Sequence, residues 1–376
     1  MPRPAAADAP RPARTTAPSE AAPRQVARGG RARSVGLTAF FTMLAVGLVV
    51  ALLVSAGSGQ LPIPADEVLG SVLHRLGLDW LPMPAHPRGD DTLWTVRFPR
   101  VAMAALVGAA LAVAGALMQG VFGNPLAEPS IVGVSSGAAV AAATVIVFGL
   151  TFAGDWTVAV AAFVGGLTTT LLVYALARSG GRTEVVTLVL TGIAVNAVAG
   201  ALLALLMFLG DTQAREQIVF WQLGSLNGSR WPYVAVVAPF AVAGIVLALA
   251  SARSLDLLAL GERPARHLGV HVERLRIGLI VVVALLTAAA VSFCGIVAFV
   301  GLVVPHLVRM VTGPGHRLVL PACLLAGSLV LVVADLAART LVAYSDLPLG
   351  MLTSLVGGPF FFWLLWRTRR TSGGWS

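Results

Sequence analysis

Apolar residues in this chain come in blocks long enough to cross a bilayer, and the blocks recur along its length. The first, residues 35–57, holds 23 residues, against the ~20 that a helix needs to span a hydrocarbon core. Further runs fall near 99–122, 131–151, 156–177, 184–209, 232–251, 275–294, 296–312, 318–342 and 350–367. Hydrophobic residues make up 57% of the chain and charged residues 11%, whereas soluble domains carry about 45–50% and ~25%. A water-soluble core has no use for so much apolar surface. Lipid offers no partner to a backbone N–H or C=O, so each span must satisfy its own as a helix. The sequence therefore reads as an all-α polytopic membrane protein of about ten transmembrane helices.

Charge narrows the class further. All 26 basic residues are Arg. Without Lys there is no phosphate-binding P-loop, no kinase lysine and no Schiff base. Any ATP that drives this chain must be hydrolysed on another one. Cys294 and Cys323 sit in apolar runs without Cys-x-x-Cys spacing or a neighbouring His, and read as small core residues. Residues 1–34 carry seven Arg among Ala and Pro with no helical or strand period, and are expected to be a disordered cytoplasmic tail. The transmembrane domain follows over 35–368, then a short cytoplasmic tail at 369–376. With the N-terminus inside, nineteen of the Arg fall on the cytoplasmic side and seven outside, which is the sense of the positive-inside rule. The net charge of +9 thus reports topology rather than nucleic acid. Helices 2–5 and 7–10 form two four-helix blocks of opposite orientation, an inverted repeat inferred from topology alone.

Several stretches interrupt the apolar pattern. Asn124-Pro125 opens either a tight turn or a broken helix beside a polar route, because irregular backbone at membrane depth is tolerated only inside protein or next to water. The loop at 252–274 carries Leu257, Leu258 and Leu260, then Gly261, Glu262 and Ala265, then Leu268 and Gly269. It reads as two short amphipathic helices bounded by glycines, either resting on the membrane surface or offered to a partner's groove. Thr191, Gly192 and Asn196 on helix 5, with Gly350 and Thr353 on helix 10, are polar or small residues that line a route or join helices. Asp335 and Arg339, four apart, can pair on one helix face. Pro305-His306 breaks helix 8, and His306 lacks a nearby carboxylate for proton relay. His267 and His271 have no third ligand, so no metal site is assigned.

These blocks, in this order, resemble the FecCD family of ABC importer permeases. The resemblance rests on Arg97-Phe98-Pro99-Arg100, Gly115, Gln119, Asn124-Pro125-Leu126-Ala127, Gly133-Val134-Ser135 and Leu190-Thr191-Gly192. It continues through Trp221-Gln222-Leu223-Gly224, Leu260-Gly261-Glu262, Leu268-Gly269-Val270, Gly301-Leu302-Val303, Pro305-His306, Asp335, Arg339, Gly350 and Gly358-Pro359-Phe360-Phe361. It covers about 97–368, with a long N-terminal tail and a long loop at 58–93 as departures.

The resemblance implies a homodimer of permeases, two cytoplasmic ATPase subunits that hold ATP and magnesium, and an extracytoplasmic substrate-binding protein. It implies no covalently bound cofactor, no covalent chemistry on this chain, and a transported iron chelate as cargo in the cell membrane. The 252–274 loop would match the ATPase-coupling helices, and helices 5 and 10 the central path. Arg97, Arg100 and Arg339 would meet acidic residues of the binding protein, with headgroup contact or pairing to Asp335 as the alternative. Haem is favoured slightly as cargo, then a ferric siderophore, then cobalamin. An ion-coupled secondary transporter or a channel is the rival from another class. Asp335 is the one carboxylate deep in a span, and no filter motif is visible.

Overall fold

The computed structural model describes residues 22–179, 182–342 and 344–371. Residues up to Met43 form one unit and Leu44 onward a second. Helix α1 covers Ala22–Gly57, so residues 22–34 are helical where an irregular tail was expected. Ala, Gln and Arg are good helix formers, and the apolar span gives them a helix to extend. Residues 1–21 lie outside the described residues.

The loop expected at 58–93 holds α2 (Ala65–Arg75) and α3 (Gly89–Thr92), the latter running through one π-helical turn at Leu93–Arg97 into α4 (Phe98–Phe122). Then follow α5 (Val134–Val147), α6 (Thr157–Ala177) and α7 (Val185–Leu209). A two-residue ladder, Arg178–Ser179 with Arg182–Thr183, closes the turn between α6 and α7. Next come α8 (Thr212–Leu223) and α9 (Trp231–Ala250), then α10 (Ala252–Leu258) and α11 (Glu262–His267). The chain ends in α12 (Val272–Cys294), α13 (Val300–Thr312), α14 (His316–Thr340) and α15 (Leu349–Thr371). Helix α15 runs into the segment expected to be a tail from 369.

Among the described residues seven helices are long and apolar enough to span, and α5, α13 and the first part of α15 add three shorter apolar ones. These are the ten runs of the sequence. α5 and α13 hold 14 and 13 residues, about 20 Å of rise at 1.5 Å per residue, well short of a ~30 Å hydrocarbon core. They begin later than the apolar runs suggest because the chain enters each through a non-helical segment. Before α5 a short 3-10 turn at Pro129–Val132 leads to Gly133 in the left-handed region at φ 80°. Before α13 the backbone turns at Gly295 and again at Phe299, a non-glycine residue at φ 67°.

The packing carries the inverted repeat that sequence similarity did not reveal. α4 and α12 run against each other; α4 packs on α14 and α13, and α12 correspondingly on α6 and α5. If α4–α7 correspond to α12–α15, each central helix packs on the second and third helices of the opposite block. The same exchange holds in detail. An added Cβ on Gly192 of α7 would overlap the carbonyl oxygen of Ile131 in the break before α5. One on Gly350 of α15 would overlap the carbonyl of Ile296 in the break before α13. Helix crossings elsewhere also rest on small residues: Gly108 meets Gly327, Gly115 meets Gly301, and Gly137 meets Gly165 at backbone contact. Without a hydrophobic drive between helices in lipid, such close approach supplies the dispersion energy of packing.

Candidate functional site

Three groups of residues singled out from the sequence fall in three places. The first is the face bearing α2, where α1 ends, α4 begins and α14 ends. Arg97, Arg100 and Arg339 come together there; Arg97 and Arg100 are 5% and 9% exposed, and the Arg339 side chain 9%. Arg97 donates to the carbonyls of Ala56 at 2.8 Å and Gly57 at 2.9 Å, and also to that of Leu61. Arg100 binds Asp335 through Nε at 3.0 and 3.2 Å, and Asp346 through Nη1 at 2.8 Å. Arg339 donates to Ser58 O at 2.9 Å and Ser55 Oγ at 2.6 Å, and its Nε lies 3.6 Å from Asp335. The i, i+4 pairing expected of Asp335 and Arg339 is therefore present, but Arg100 is the better partner.

Where the sequence suggested outward-pointing arginines, the structure anchors the guanidiniums on internal acceptors. They tie the end of α1 to α4 and α14, elements far apart in the chain. The cluster lines an open cavity of about 590 Å³ shared with Gln60, Asn227 and Ser345. Three guanidiniums face two carboxylates, so the cavity wall keeps one positive charge in excess. Asp346 and the carbonyl acceptors could not have been assigned from spacing, since they are supplied by loops and by another helix's end.

The second group is the candidate route. Asn196 is half-buried; its Oδ1 accepts from Ser136 Oγ at 2.6 Å and its Nδ2 donates to Ser130 O at 3.2 Å. It thus fastens α7 to the start of α5. Gly192, one turn before it, lies against Ile131, while Thr191 is half-buried. Thr353 is 9% exposed and its hydroxyl donates to Gly350 O of its own helix at 3.1 Å. Gly350 packs where three backbones cross. Leu349 N donates to Gly224 O and Ser225 N to Cys294 O, each at 2.8 Å. Gly224 and Gly295 also have no room for a Cβ there. The Trp221-to-Gly224 motif is explained by this crossing, as is α8, which the hydropathy pattern does not mark. The Asn124 side chain accepts from Leu126 N at 2.9 Å, an Asx turn that fixes the Pro125 corner. Pro305 is buried in α13 with His306 half-buried beside it.

The third group is the pair α10–α11 at the opposite face. Leu258, Ala265 and Val272 form a small core under Val270 and Leu275. Leu257 is half-buried, while Leu260 and Leu268 are 64% and 59% exposed at the turns that follow the two helices. Gly261 sits at φ 109°, ψ 157°, a backbone open to glycine because it has no Cβ. Gly269 ends α11 at φ 85°. Glu262 accepts from Arg276 at 2.8 Å and Arg266 at 3.0 Å, tying α11 to α12. The Arg276 bond holds the Glu262 carboxyl below the usual carboxylate range. Beside the pair runs an open groove of about 630 Å³ along Arg253, Leu257, Leu268 and His271. Among the described residues no cluster of His, Cys, Asp or Glu could hold a metal.

Ten apolar helices, eight of them in two inverted four-helix blocks, broken third and eighth helices and a two-helix element on one face define a transporter permease with its repeats crossing at the centre. The chain belongs to the FecCD transport family, whose model matches residues 47–367. It is 41% identical over 292 residues to the hemin transport system permease protein HmuU of Yersinia pestis, covering 76% of this chain and 87% of the relative. It is 40% identical over 314 residues to the cobalamin import system permease protein BtuC of Halobacterium salinarum, covering 82% and 80%. It is also 37% identical over 335 residues to the Fe(3+) dicitrate permease FecD of Escherichia coli, covering 89% and 99%. A solved structure described as an inward-facing metal-chelate type ABC transporter superposes with a TM-score of 0.77 at 30% identity, over 88% of this chain and 99% of that one. This chain is accordingly a multi-pass membrane permease of an ABC importer, a transport subunit rather than an enzyme, with ATP hydrolysis on a separate subunit.

Proposed function

We infer that this permease carries an iron-bearing chelate into the cytoplasm, haem ahead of a ferric siderophore. The observation that carries the reading is the similarity to HmuU, at 41% identity across most of both chains. FecD, also named for an iron compound, is similar over nearly its whole length. The cobalamin permease is almost as similar, so cobalamin is the alternative cargo.

The working unit is a dimer. α7 leaves Leu190, Ile193, Val198 and Leu202 exposed, and α15 leaves Leu355 and Val356 exposed; a second copy packed on these faces encloses the route. Thr191, Gly192, Asn196, Gly350 and Thr353 then stand close to that route. Leu260 and Leu268 on the α10–α11 pair seat in the grooves of two ATPase subunits that bind ATP and magnesium. The cavity edged by Arg97, Arg100 and Arg339 receives acidic residues of an extracytoplasmic binding protein, its excess positive charge steering them. Both termini lie in the cytoplasm.

The test is uptake into vesicles containing the permease, its ATPase and its binding protein, offered haemin, ferric citrate or cyanocobalamin in turn. ATP-dependent accumulation of haemin above the other two supports the reading. Accumulation of cobalt instead of iron assigns the cobalamin alternative, and uptake without ATP or the ATPase points to an ion-coupled carrier.

A further inference from the structure

One part-buried polar chain links the α10–α11 element to the middle of the helix bundle. Asp256 lies in α10. Its Oδ1 accepts both the backbone N–H of His316, at 2.6 Å, and the ring Nδ1–H, at 2.9 Å. His316 is the first residue of α14 and is 4% exposed. A carboxylate only accepts and an arginine only donates, so the imidazole carries its hydrogen on Nδ1 and turns a lone pair on Nε2 toward Arg309. Arg309 Nη2 lies 3.4 Å from that nitrogen. On its other side Arg309 donates to Gln119 Oε1 at 2.7 Å and to Ala116 O at 3.3 Å, both on α4. Gln119, 2% exposed, donates in turn to Leu302 O of α13 at 3.2 Å.

Two features separate this chain of contacts from ordinary packing. Arg309 has no carboxylate within ion-pair distance among the described residues; Asp256 reaches it through the imidazole. Further, Gly120 is shaped around the ring, because an added Cβ would stand 2.6 Å from His316 Nε2. The carboxylate also occupies the positive end of α14, whose N-cap Gly315 provides no side-chain cap of its own. The other polar tie of the element, Glu262 to Arg276, sits at a half-exposed surface and runs through Glu273 to Tyr174 of α6. The Asp256 tie instead continues into α14, α13 and α4, which pack on one another across the repeat interface.

We propose that Asp256, His316 and Arg309 are positioning residues that transmit displacement of α10 into α14, α13 and α4. The proposal rests on the reading of α10–α11 as the ATPase-coupling element. When an ATPase moves α10, Asp256 carries the first residue of α14 with it. The imidazole passes the displacement to Arg309 and so to α4 and to α13, a short helix bounded by turns at Phe299 and Gly313.

The test uses the complete transporter in lipid nanodiscs, with spin labels at Leu341→Cys in the two permease copies, since Cys294 and Cys323 are buried and do not label. Pulsed-EPR distances are taken with and without ATP and vanadate, beside ATPase retention and basal ATP hydrolysis. Asp256→Ala and His316→Ala are expected to keep the ATPase bound and hydrolysing within about twofold of the parent. Each should cut the ATP-shifted population about tenfold, with the double variant no worse than either alone. Gly120→Ala, which removes no polar group, should show the same loss, and Asp256→Asn should restore part of it. Unchanged ATP-driven populations in Asp256→Ala or Gly120→Ala overturn the relay, and so do fully additive losses. Loss of ATPase retention in Asp256→Ala also overturns it, making Asp256 a docking contact. The docking reading fails separately, if Leu260→Glu with Leu268→Glu leaves ATPase retention intact.

Discussion

Replacing Asp335 by Asn keeps the size of the side chain and removes the carboxylate that two guanidiniums share, Arg100 at 3.0 Å and Arg339 at 3.6 Å. At an effective dielectric of about 20, a pair of unit charges near 4 Å is worth about 4 kcal/mol, and both pairs lose that attraction. In the other direction, Asn escapes the desolvation of a carboxylate only 1% exposed, a penalty of several kcal/mol per ion. What remains is about 3–5 kcal/mol, the usual effect of removing one partner from a buried ion pair. Asp346, 31% exposed and bonded to Arg100, is backed by water, so Asp346→Asn should lose about 1 kcal/mol. That smaller loss should shrink in high salt, while the Asp335 loss persists because salt screens a buried pair poorly. The assay is reversible unfolding of the purified permease in mixed micelles of nonionic detergent and sodium dodecyl sulfate, at low and high salt. An Asp335→Asn protein within about 1 kcal/mol of the parent would refute the claim that this cluster holds α1, α4 and α14 together. So would equal losses in the two variants.

Gly261→Val forces a β-branched residue into φ 109°; membrane insertion should be unchanged while binding-protein-stimulated ATP hydrolysis falls about tenfold, and normal stimulation refutes the coupling assignment. The Glu262 carboxyl is held low chiefly by the Arg276 hydrogen bond, so its contribution is present above the ordinary carboxylate range and lost only as pH falls through the lowered value. ATPase retention should therefore be flat from about pH 5 to 8 as far as this group is concerned. Glu262→Gln should lower retention modestly across that range, as pull-down on immobilised permease would measure. Gly192→Leu and Gly350→Leu should each drive a side chain into a carbonyl and reduce the yield of folded permease in size-exclusion chromatography, whereas Gly200→Leu, where an added Cβ meets nothing within 4 Å, should not. Cysteines at Asn196 and Thr353 should react with aqueous thiol reagents in a nucleotide-dependent way in the assembled dimer; protection of both in every nucleotide state assigns them to helix joining alone.

Hydropathy by itself determined the ten apolar segments, because lipid requires each spanning backbone to close its own hydrogen bonds, and that requirement is local. It also determined the two-helix element at 252–274, whose leucines and glycines mark faces and ends within a few residues. What lies between residues distant in the chain was decided only in three dimensions. Arg97 and Arg100 read as outward charges, and Arg339 as a partner of Asp335 or of a docking protein, because spacing cannot show that Asp346 and the carbonyls of Ala56, Gly57 and Ser58 would converge on them. Asn196 reads as a polar residue on a route, yet its partners are Ser130 in the turn before α5 and Ser136 on α5. Gly192 and Gly350 are small residues in sequence; only the packed bundle sets each against the carbonyl of a broken helix in its own repeat. The Asp256–His316–Arg309 chain is the furthest from local pattern. Its members sit on three helices, and a buried hydrogen bond depends on where the helices cross rather than on which residues precede or follow.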